Sequence, residues 1–597
     1  MKRYLPIIFL FIYFASFSQN ADWMTYFEKS GYIETPRYAE TMAFCNRLDA
    51  ASGWVTVTSF GESAQGRSMP LVIIDKQGFS VPEQIHSSGK IILLIQACIH
   101  PGECEGKDAG LMLIRDIVIN KKYIELLDHV SILFIPIFNV DGHERFGPYN
   151  RINQNGPKEM GWRVTANNLN LNRDFLKAET PEMQAWLKMY NKWMPDFFID
   201  THTTDGADYQ YVITYLMEVF GNMDDGLTKW CKTVFLPSMT GNMEKKGFPV
   251  FPYIEFRDWH NPKSGLESNV APPMLSQGYT SLRNRPGLLI ETHMLKSYQV
   301  RVSSTYECIL SSMKILDREY LDLISLIKKA DEFSSGEDFR STEFPLHFET
   351  LTTDSTMVDF RGIKYEELKS EFTGETYFKY GNEKTDLRLP YFSVNRPVVT
   401  TKLPEAYIIP VEWNRVIEKL VLHGVKLAYL DNDTTIKIST YKITSPKWNP
   451  NSYEGHHALS QFEASTNEQE RSFCKGSAIV DMNQPQARII AHLLEPKGNG
   501  SLFYWNYFDA ILEQKEYAER YVMESLVPEM LKKDPQLKDE FERKKNADTI
   551  FAKNPNLIMN WFFSKTPYWD KKKDIYPIGK IYDRKLLNSL LKNNLHD

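Results

Sequence analysis

An apolar run from Ile91 to Ile99 stops at His100-Pro101-Gly102-Glu103. The run has the length of a fully buried strand and the Pro-Gly pair is a strong breaker, so an imidazole and a carboxylate stand where a strand hands over to a turn. Three residues apart, they can aim a nitrogen and an oxygen at one point, which is what a divalent cation needs. His-x-x-Glu recurs by chance in many chains, so the pair carries weight only in company. The company is present. The run 196-DFFID-200 ends in Thr201-His202, a second imidazole beyond a buried strand; the run Leu288–Ile290 ends in Glu291; and a polar loop over 161–175 holds Arg163, Asn172 and Arg173.

The elements that must position these residues follow from periodicity. Strand-like runs lie at 69–75, 91–99, 130–138, 196–202 and 287–293, and helix-like stretches at 105–120 and 180–193 lie between them. The second helix opens with Thr180 as N-cap and Pro181 at its first position. Nearly continuous apolar strands separated by helices predict an α/β fold with a mixed, mainly parallel sheet and helices on both faces. In such sheets ligands gather beyond the carboxyl ends of the strands, where His100, His202 and Glu291 stand. A long amphipathic helix, roughly Ser303 to Phe333, closes this unit. The polar, Ser-rich stretch 334–344 reads as a linker to a C-terminal α/β or α+β accessory region over 345–597. In that region Ala406 to Leu430 reads as strand, helix, strand, and 487–542 as helical. Its aromatic segment 502–531 reads as core.

The motifs and their order resemble the zinc carboxypeptidase family, metallocarboxypeptidases of the carboxypeptidase A type. The resemblance spans roughly Tyr32 to Arg301 and rests on Ala64-Gln65-Gly66-Arg67, the turn His100 to Glu103, Phe138 to Gly142, Trp162-Arg163, Asn170 to Phe175, Asp200-Thr201-His202 and Gly287 to Glu291. It implies one Zn2+ per chain, held by His100, Glu103 and His202 with a fourth position left to water. It implies Glu291 as the general base, Arg163 as the group that holds the developing oxyanion, and Asn172 with Arg173 as the grip on the free C-terminal carboxylate of a peptide substrate. Arg67 would line the entrance subsite. Two features depart from the pattern. Asn170 stands where better-known members have an aspartate behind a zinc-ligand histidine, so it can accept that bond but brings no charge, with Asp200 as a substitute. The family's mobile tyrosine could be Tyr253 or Tyr279.

Domains are accordingly expected as a signal peptide over 1–18, a zinc carboxypeptidase-like catalytic domain over 19–333, the linker, and the accessory region of unknown function. Lys2 and Arg3 precede an apolar run over 5–17 and small residues at 16 and 18, the pattern of a secretory signal too short to span a membrane. No cysteine follows it to carry a lipid, so a secreted or periplasmic protein with no membrane span after processing is expected. The 597 residues are 42% hydrophobic and 24% charged, an ordinary globular composition, and loss of Lys2 and Arg3 moves the net charge from −6 to −8. Without a basic block, nucleic acid is an unsuitable partner. The six cysteines are too sparse for a disulfide framework, and Cys98 and Cys104 read as small apolar fillers rather than ligands. Oligomeric state is not legible.

The resulting expectation is an exported zinc-dependent metallocarboxypeptidase that hydrolyses the C-terminal peptide bond by zinc-activated water and a glutamate base. Alternatives are a hydrolase of cell-wall peptide stems or of another carboxylate-bearing amide, and a non-catalytic peptide-binding protein. The pair His456-His457 lies in a polar loop and reads as solvated rather than metal-binding.

Overall fold

Alternating apolar runs and amphipathic stretches build the layers of the computed structural model, which describes residues 23–258 and 261–592. The expected signal peptide lies outside the described residues. The strands of the first half are β1 Val55–Glu62, β2 Ser68–Ile74, β3 Ile91–Gln96, β4 Val130–Ile135, β5 Phe197–Thr204, β6 Ile213–Met217, β7 Val250–Pro252, β8 Glu255–Phe256, β9 Leu266–Glu267 and β10 Gly287–His293. Eight form one sheet in the order β1-β2-β4-β3-β5-β10-β6-β7. Its centre, β4-β3-β5-β10, is parallel, and antiparallel pairs β1–β2, β2–β4 and β10–β6 flank it. Every residue of β3, β4 and β5 is buried, so neither face of the centre meets water. The α/β class and the mixed, mainly parallel sheet are as the apolar runs predict. The edge strands β1 and β7, and β6 beside β7, were not legible because their partly exposed positions break the apolar pattern.

Helix α1 (Glu105–Val118) follows directly on the His100 turn, α2 (Pro181–Trp193) is capped by Thr180 accepting from Met183 N, and α3 (Tyr298–Ser335) is somewhat longer than its apolar stripe suggested. Gly106, in the first turn of α1, lies against β5. A Cβ there would stand 1.9 Å from Thr201 Oγ1 and 2.5 Å from Thr201 Cβ. This close approach brings the turn that carries Glu103 up to the strand that carries His202. Gly106→Ala is therefore expected to destabilise the protein by about 1–3 kcal/mol through overpacking, read as a lower Tm; an unchanged Tm would mean that α1 can ride off β5 freely.

The stretch 334–344 is not an extended linker. α3 continues to Ser335, a short helix α4 (Glu337–Ser341) follows, and Phe339 and Arg340 are buried. Phe339 packs edge-on against Phe333 and Phe344, an apolar contact that the polar composition around it concealed. Beyond come β11 Glu343–Thr350, β12 Thr356–Lys369, β13 Thr376–Phe392, β14 Asn395–Lys402, β15 Ala406–Ile409, β16 Ala428–Tyr429, β17 Thr434–Trp448, β18 Leu459–Phe473, β19 Ala478–Asp481 and β20 Gly579–Ile581. The strand-helix-strand reading holds as β15, α5 (Asn414–Leu422) and β16, placed in a six-stranded antiparallel sheet of order β16-β19-β15-β20-β17-β18. The hairpin β12–β13 joins β9 and β8 of the first half in a further sheet.

Helicity is not continuous over 487–542. α6 (Ala487–Leu494) ends before Pro496, and after one short 3-10 turn at Asp509–Leu512 α-helices resume at α7 (Arg520–Lys533) and α8 (Pro535–Ala547). Proline removes a donor, and Gly498 sits where a Cβ would meet His492 O at 2.4 Å, so the chain turns back on the helix instead. Only the first part of the aromatic segment is core: Tyr517 and Tyr521 further along it are exposed, whereas Leu502, Phe503, Trp505 and Phe508 are fully buried. They belong to one hydrophobic cluster that also contains Ile92, Trp186 and Phe198 of the first half, so the core runs unbroken between the halves.

Candidate metal centre and active site

After β3 the chain leaves the strand through Cys98, which takes a left-handed conformation (φ 57), and closes the His100 turn with Glu103 N donating to His100 O at 2.9 Å. Gly102 leaves room there for Arg151, whose Cδ a Cβ would meet at 2.4 Å and push aside. The turn faces the end of β5, where His202 stands in register with Glu291 of β10. His100 Nδ1 lies 3.2 Å from His202 Nδ1 and 3.2 Å from Glu103 Oε2, which is itself 2.9 Å from His202 Nδ1. All three side chains are buried.

The opposite edges of both rings are held from behind. His100 Nε2 is 3.0 Å from Asn170 Oδ1, and His202 Nε2 is 3.0 Å from Asp200 Oδ2, whose Oδ1 accepts from Gln96 Nε2 at 3.1 Å. Asn170 and Asp200 thus each back one ring, and the tautomers these acceptors dictate leave Nδ1 of both rings as bare lone pairs. Burial pulls the His100 imidazole down to about 4, which keeps it neutral. Burial works against the charged form of His202 as well, yet the Asp200, Glu103 and Glu291 carboxylates outweigh it and hold that ring well above its ordinary value. Burial opposes ionisation of Glu103 too, but His100, Arg151 and the hydrogen bonds it accepts keep it an anion.

With both rings neutral, two lone pairs and a carboxylate converge on one point and repel one another unless a cation sits between them, and the raised pKa of His202 shows the same pull, since without a metal a second proton on that ring meets Glu103. Two nitrogens bound to one tetrahedral zinc at about 2.0–2.1 Å lie roughly 3.3 Å apart, close to the 3.2 Å between His100 Nδ1 and His202 Nδ1. His100, Glu103 and His202 are the group of buried ligand-type side chains, among the described residues, whose donor atoms all lie within 4.8 Å of one another. The donor set of two imidazoles and one carboxylate is a zinc-type set, so the residues fit the ion. The cysteine sulfurs point elsewhere: Cys98 Sγ toward Glu103 O and Cys104 Sγ toward Pro101 O. All six cysteines are free.

A cleft of about 760 Å³ opens over this centre and gathers most of the expected residues: His100, Glu103, Arg163, Asn172, Arg173, His202 and Glu291 all line it. Burial pushes the Glu291 carboxyl up to about 8 in the absence of a cation, with the Glu103 charge adding and His202 opposing. Arg163 is half-exposed, with Nη1 3.3 Å from Glu103 Oε1. Asn172 accepts from Ser276 N at 3.1 Å through Oδ1, which leaves Nδ2 as its donor to a ligand. Arg173 donates from Nε to Tyr453 Oη at 2.8 Å and from Nη1 to Asn172 O at 2.6 Å.

Arg67 is placed otherwise. It pairs with Asp141 Oδ1 at 2.6 Å and with Gln65, and it is not among the residues that line the cleft. Its buried carboxylate partner is a stronger attraction than an open cleft. Of the two tyrosines, Tyr253 lines the cleft, with its hydroxyl 3.4 Å from Thr204 Oγ1, whereas Tyr279 is buried against His423 Nδ1 at 2.9 Å. Glu255 and Glu267 face each other across β8 and β9 at the cleft wall. Arg151 was missed by sequence reasoning: its Nη1 donates to Glu103 Oε1 at 2.7 Å and its Nη2 to Thr203 O at 3.1 Å, clamping the carboxylate from the cleft side. It lies in a polar loop with no strand beside it, and nothing in its spacing marked it. The His456 reading needs correction as well, since His456 Nε2 meets Glu179 Oε2 at 2.9 Å and is not simply solvated.

A buried His-Glu-His centre at the carboxyl edge of a mixed α/β sheet, with arginines and a further glutamate in the same cleft, defines a metallohydrolase. The comparisons narrow the class. Residues 41–212 match the family model described as zinc carboxypeptidase. Carboxypeptidase 2 of Trichophyton rubrum is 24% identical over 485 residues, which cover 77% of this chain and 82% of that protein. Carboxypeptidase 2 of Trichophyton tonsurans is 23% identical with the same coverage. A crystal structure of a metallo-carboxypeptidase from Burkholderia cenocepacia aligns with a TM-score of 0.36 and 16% identity, covering 48% of this chain and 71% of that one. Residues 41–212 thus carry the match to a zinc carboxypeptidase domain, and the chain is a peptidase.

Proposed function

We propose that the protein is an exported zinc metallocarboxypeptidase that removes C-terminal residues from peptides. The observation that carries this reading is that one cleft holds the converging donors of His100, Glu103 and His202, the carboxylate of Glu291 and the guanidinium of Arg173. Export rests on the charged and apolar segment at the N-terminus. Among the described residues, no helix is long and apolar enough to cross a membrane.

In this reading His100, Glu103 and His202 hold zinc, which when bound supplies Lewis acidity toward the scissile carbonyl and toward water. Glu291 takes the proton of the attacking water and returns it to the leaving amine, a role that suits a carboxyl in the cleft beside the His202 end of β5. Arg163 donates to the oxyanion as it forms. Asn172 Nδ2 and the terminal amino groups of Arg173 receive the C-terminal carboxylate and so set the scissile bond one residue from the chain end. Arg151 and Thr203 N–H, the latter 3.0 Å from Glu103 Oε2, keep the Glu103 carboxylate oriented toward the metal.

The test is digestion of a peptide mixture read by mass spectrometry, with metal analysis of the purified protein. Free-acid peptides are expected to lose single residues from the C-terminus, amidated ones to persist, a chelator to abolish turnover and one equivalent of zinc to restore it. Cleavage inside chains, or turnover that survives complete metal removal, would sink the reading.

A further inference from the structure

The segment Asn170–Glu179, which carries Asn172 and Arg173, has no regular structure of its own beyond a three-residue turn at Leu171–Arg173; Asp174 ties its far end by accepting from Lys177 Nζ and Glu179 N, and Ser276 N holds Asn172. The C-terminal half adds a second set of contacts, which reach Arg173 itself. Glu454 Oε2 accepts from Asn170 N at 2.8 Å, Tyr453 Oη accepts from Arg173 Nε at 2.8 Å, His423 Nε2 meets Leu176 O at 2.8 Å, and His456 and Tyr507 both reach the Glu179 carboxylate. These contacts join residues more than 240 positions apart in sequence.

The two contacts nearest the cleft come from one tight turn. Tyr453 and His456 exchange backbone hydrogen bonds of 2.8 and 3.0 Å, with Glu454 (φ 50) and Gly455 (φ 82) both left-handed at the tip. Two left-handed residues in succession define a hairpin turn of the primed type, in which a glutamate at the first position is unfavourable compared with Asn, Asp or Gly. The strained residue is the one whose carboxylate caps Asn170. Tyr453 is 41% exposed, and its ring lies nearly parallel to the fully buried Trp505, at 17° with centroids 6.3 Å apart, so that Trp505 walls one side of it.

We infer that the Tyr453–His456 turn of the C-terminal half is a positioning device for the carboxylate-binding arginine, so that this half completes the substrate site of the other. The inference rests on the proposed carboxypeptidase reading, in which Arg173 binds the substrate C-terminus. With Nε engaged by Tyr453 and Nη1 shared with Asn172 O, the guanidinium plane is locked and its terminal edge is the part presented to a carboxylate. Without the Tyr453 hydroxyl, the arginine keeps its charge but loses its orientation. The cost then falls on ground-state binding of a free-acid chain end rather than on the chemistry at the metal.

The experiment uses the full-length protein and three forms of it: native, Tyr453→Phe and Arg173→Ala. A peptide that the native enzyme trims serves as the free-acid substrate, and its C-terminal amide serves as a competitor. Tyr453→Phe is expected to raise KM for the free acid about 3- to 10-fold, as loss of one hydrogen bond that orients a charged group would. Its kcat should stay within about 2-fold of native, and the Ki of the amide and the Tm should hold. An unchanged KM in Tyr453→Phe alongside a large loss in Arg173→Ala would overturn the inference and leave the carboxypeptidase reading standing. Equal weakening of acid and amide, or a fall in kcat with a lowered Tm, would equally overturn it, by assigning the turn a general structural role. An Arg173→Ala protein that binds the free acid as the native one does would remove the underlying reading and the inference with it.

Discussion

Glu291→Gln is expected to lower kcat on free-acid peptides about 10²- to 10⁴-fold, the usual contribution of a positioned general base. The amide keeps the shape of the carboxyl but cannot accept a proton, and it is neutral at a buried position where burial already disfavours the charge. Fold and metal site should survive. Glu291 is neighbour to His202 across β10 and β5 but is not one of the three converging donors. The measurement is steady-state kinetics on a peptide trimmed by the native enzyme, paired with zinc content and Tm. Activity within a few-fold of native, with zinc retained, would assign the proton to another group. Glu255 and Glu267 on the cleft wall would be the first to replace in turn.

Removal of the arginine fork should separate substrates by the charge at their ends. Hydrogen bonds to charged groups contribute about 1.5–3 kcal/mol, and each 1.4 kcal/mol is a factor of ten. Arg173→Ala should therefore lower kcat/KM on free-acid peptides about 10- to 100-fold, and more where the carboxylate is left buried without a partner. Amidated peptides should react poorly with the native enzyme and lose far less on the substitution, since they never form the charged pair. Acid and amide on native and variant protein make a thermodynamic cycle whose coupling term isolates that pair. Equal losses on both substrates would show that Arg173 supports the segment Asn170–Glu179 rather than reading the chain end.

The features legible without coordinates were those written in short-range pattern. The apolar runs over 91–99, 130–138, 196–202 and 287–293 read as buried strands because side chains covered on both faces need no alternation. His100, Glu103, His202 and Glu291 were visible because each interrupts or ends such a run. Thr180 and Pro181 announced a helix by local hydrogen bonding alone. What only the tertiary structure decided involves partners remote in sequence. Arg67 had an invitation to the cleft on motif alone, but the buried Asp141 holds it away. Tyr253 and Tyr279 were equivalent as letters, and the packing of α5 puts His423 against one and leaves the other in the cleft. Phe339 turned an apparent linker into packed helix, and Gly498 turned an apparent helix into a reversal. Arg151 on Glu103, and Tyr453 on Arg173 from 280 residues away, leave no trace in periodicity, because a hydrogen bond between distant segments is specified by where two backbones meet, and that is settled by the continuous core beneath them rather than by the residues on either side.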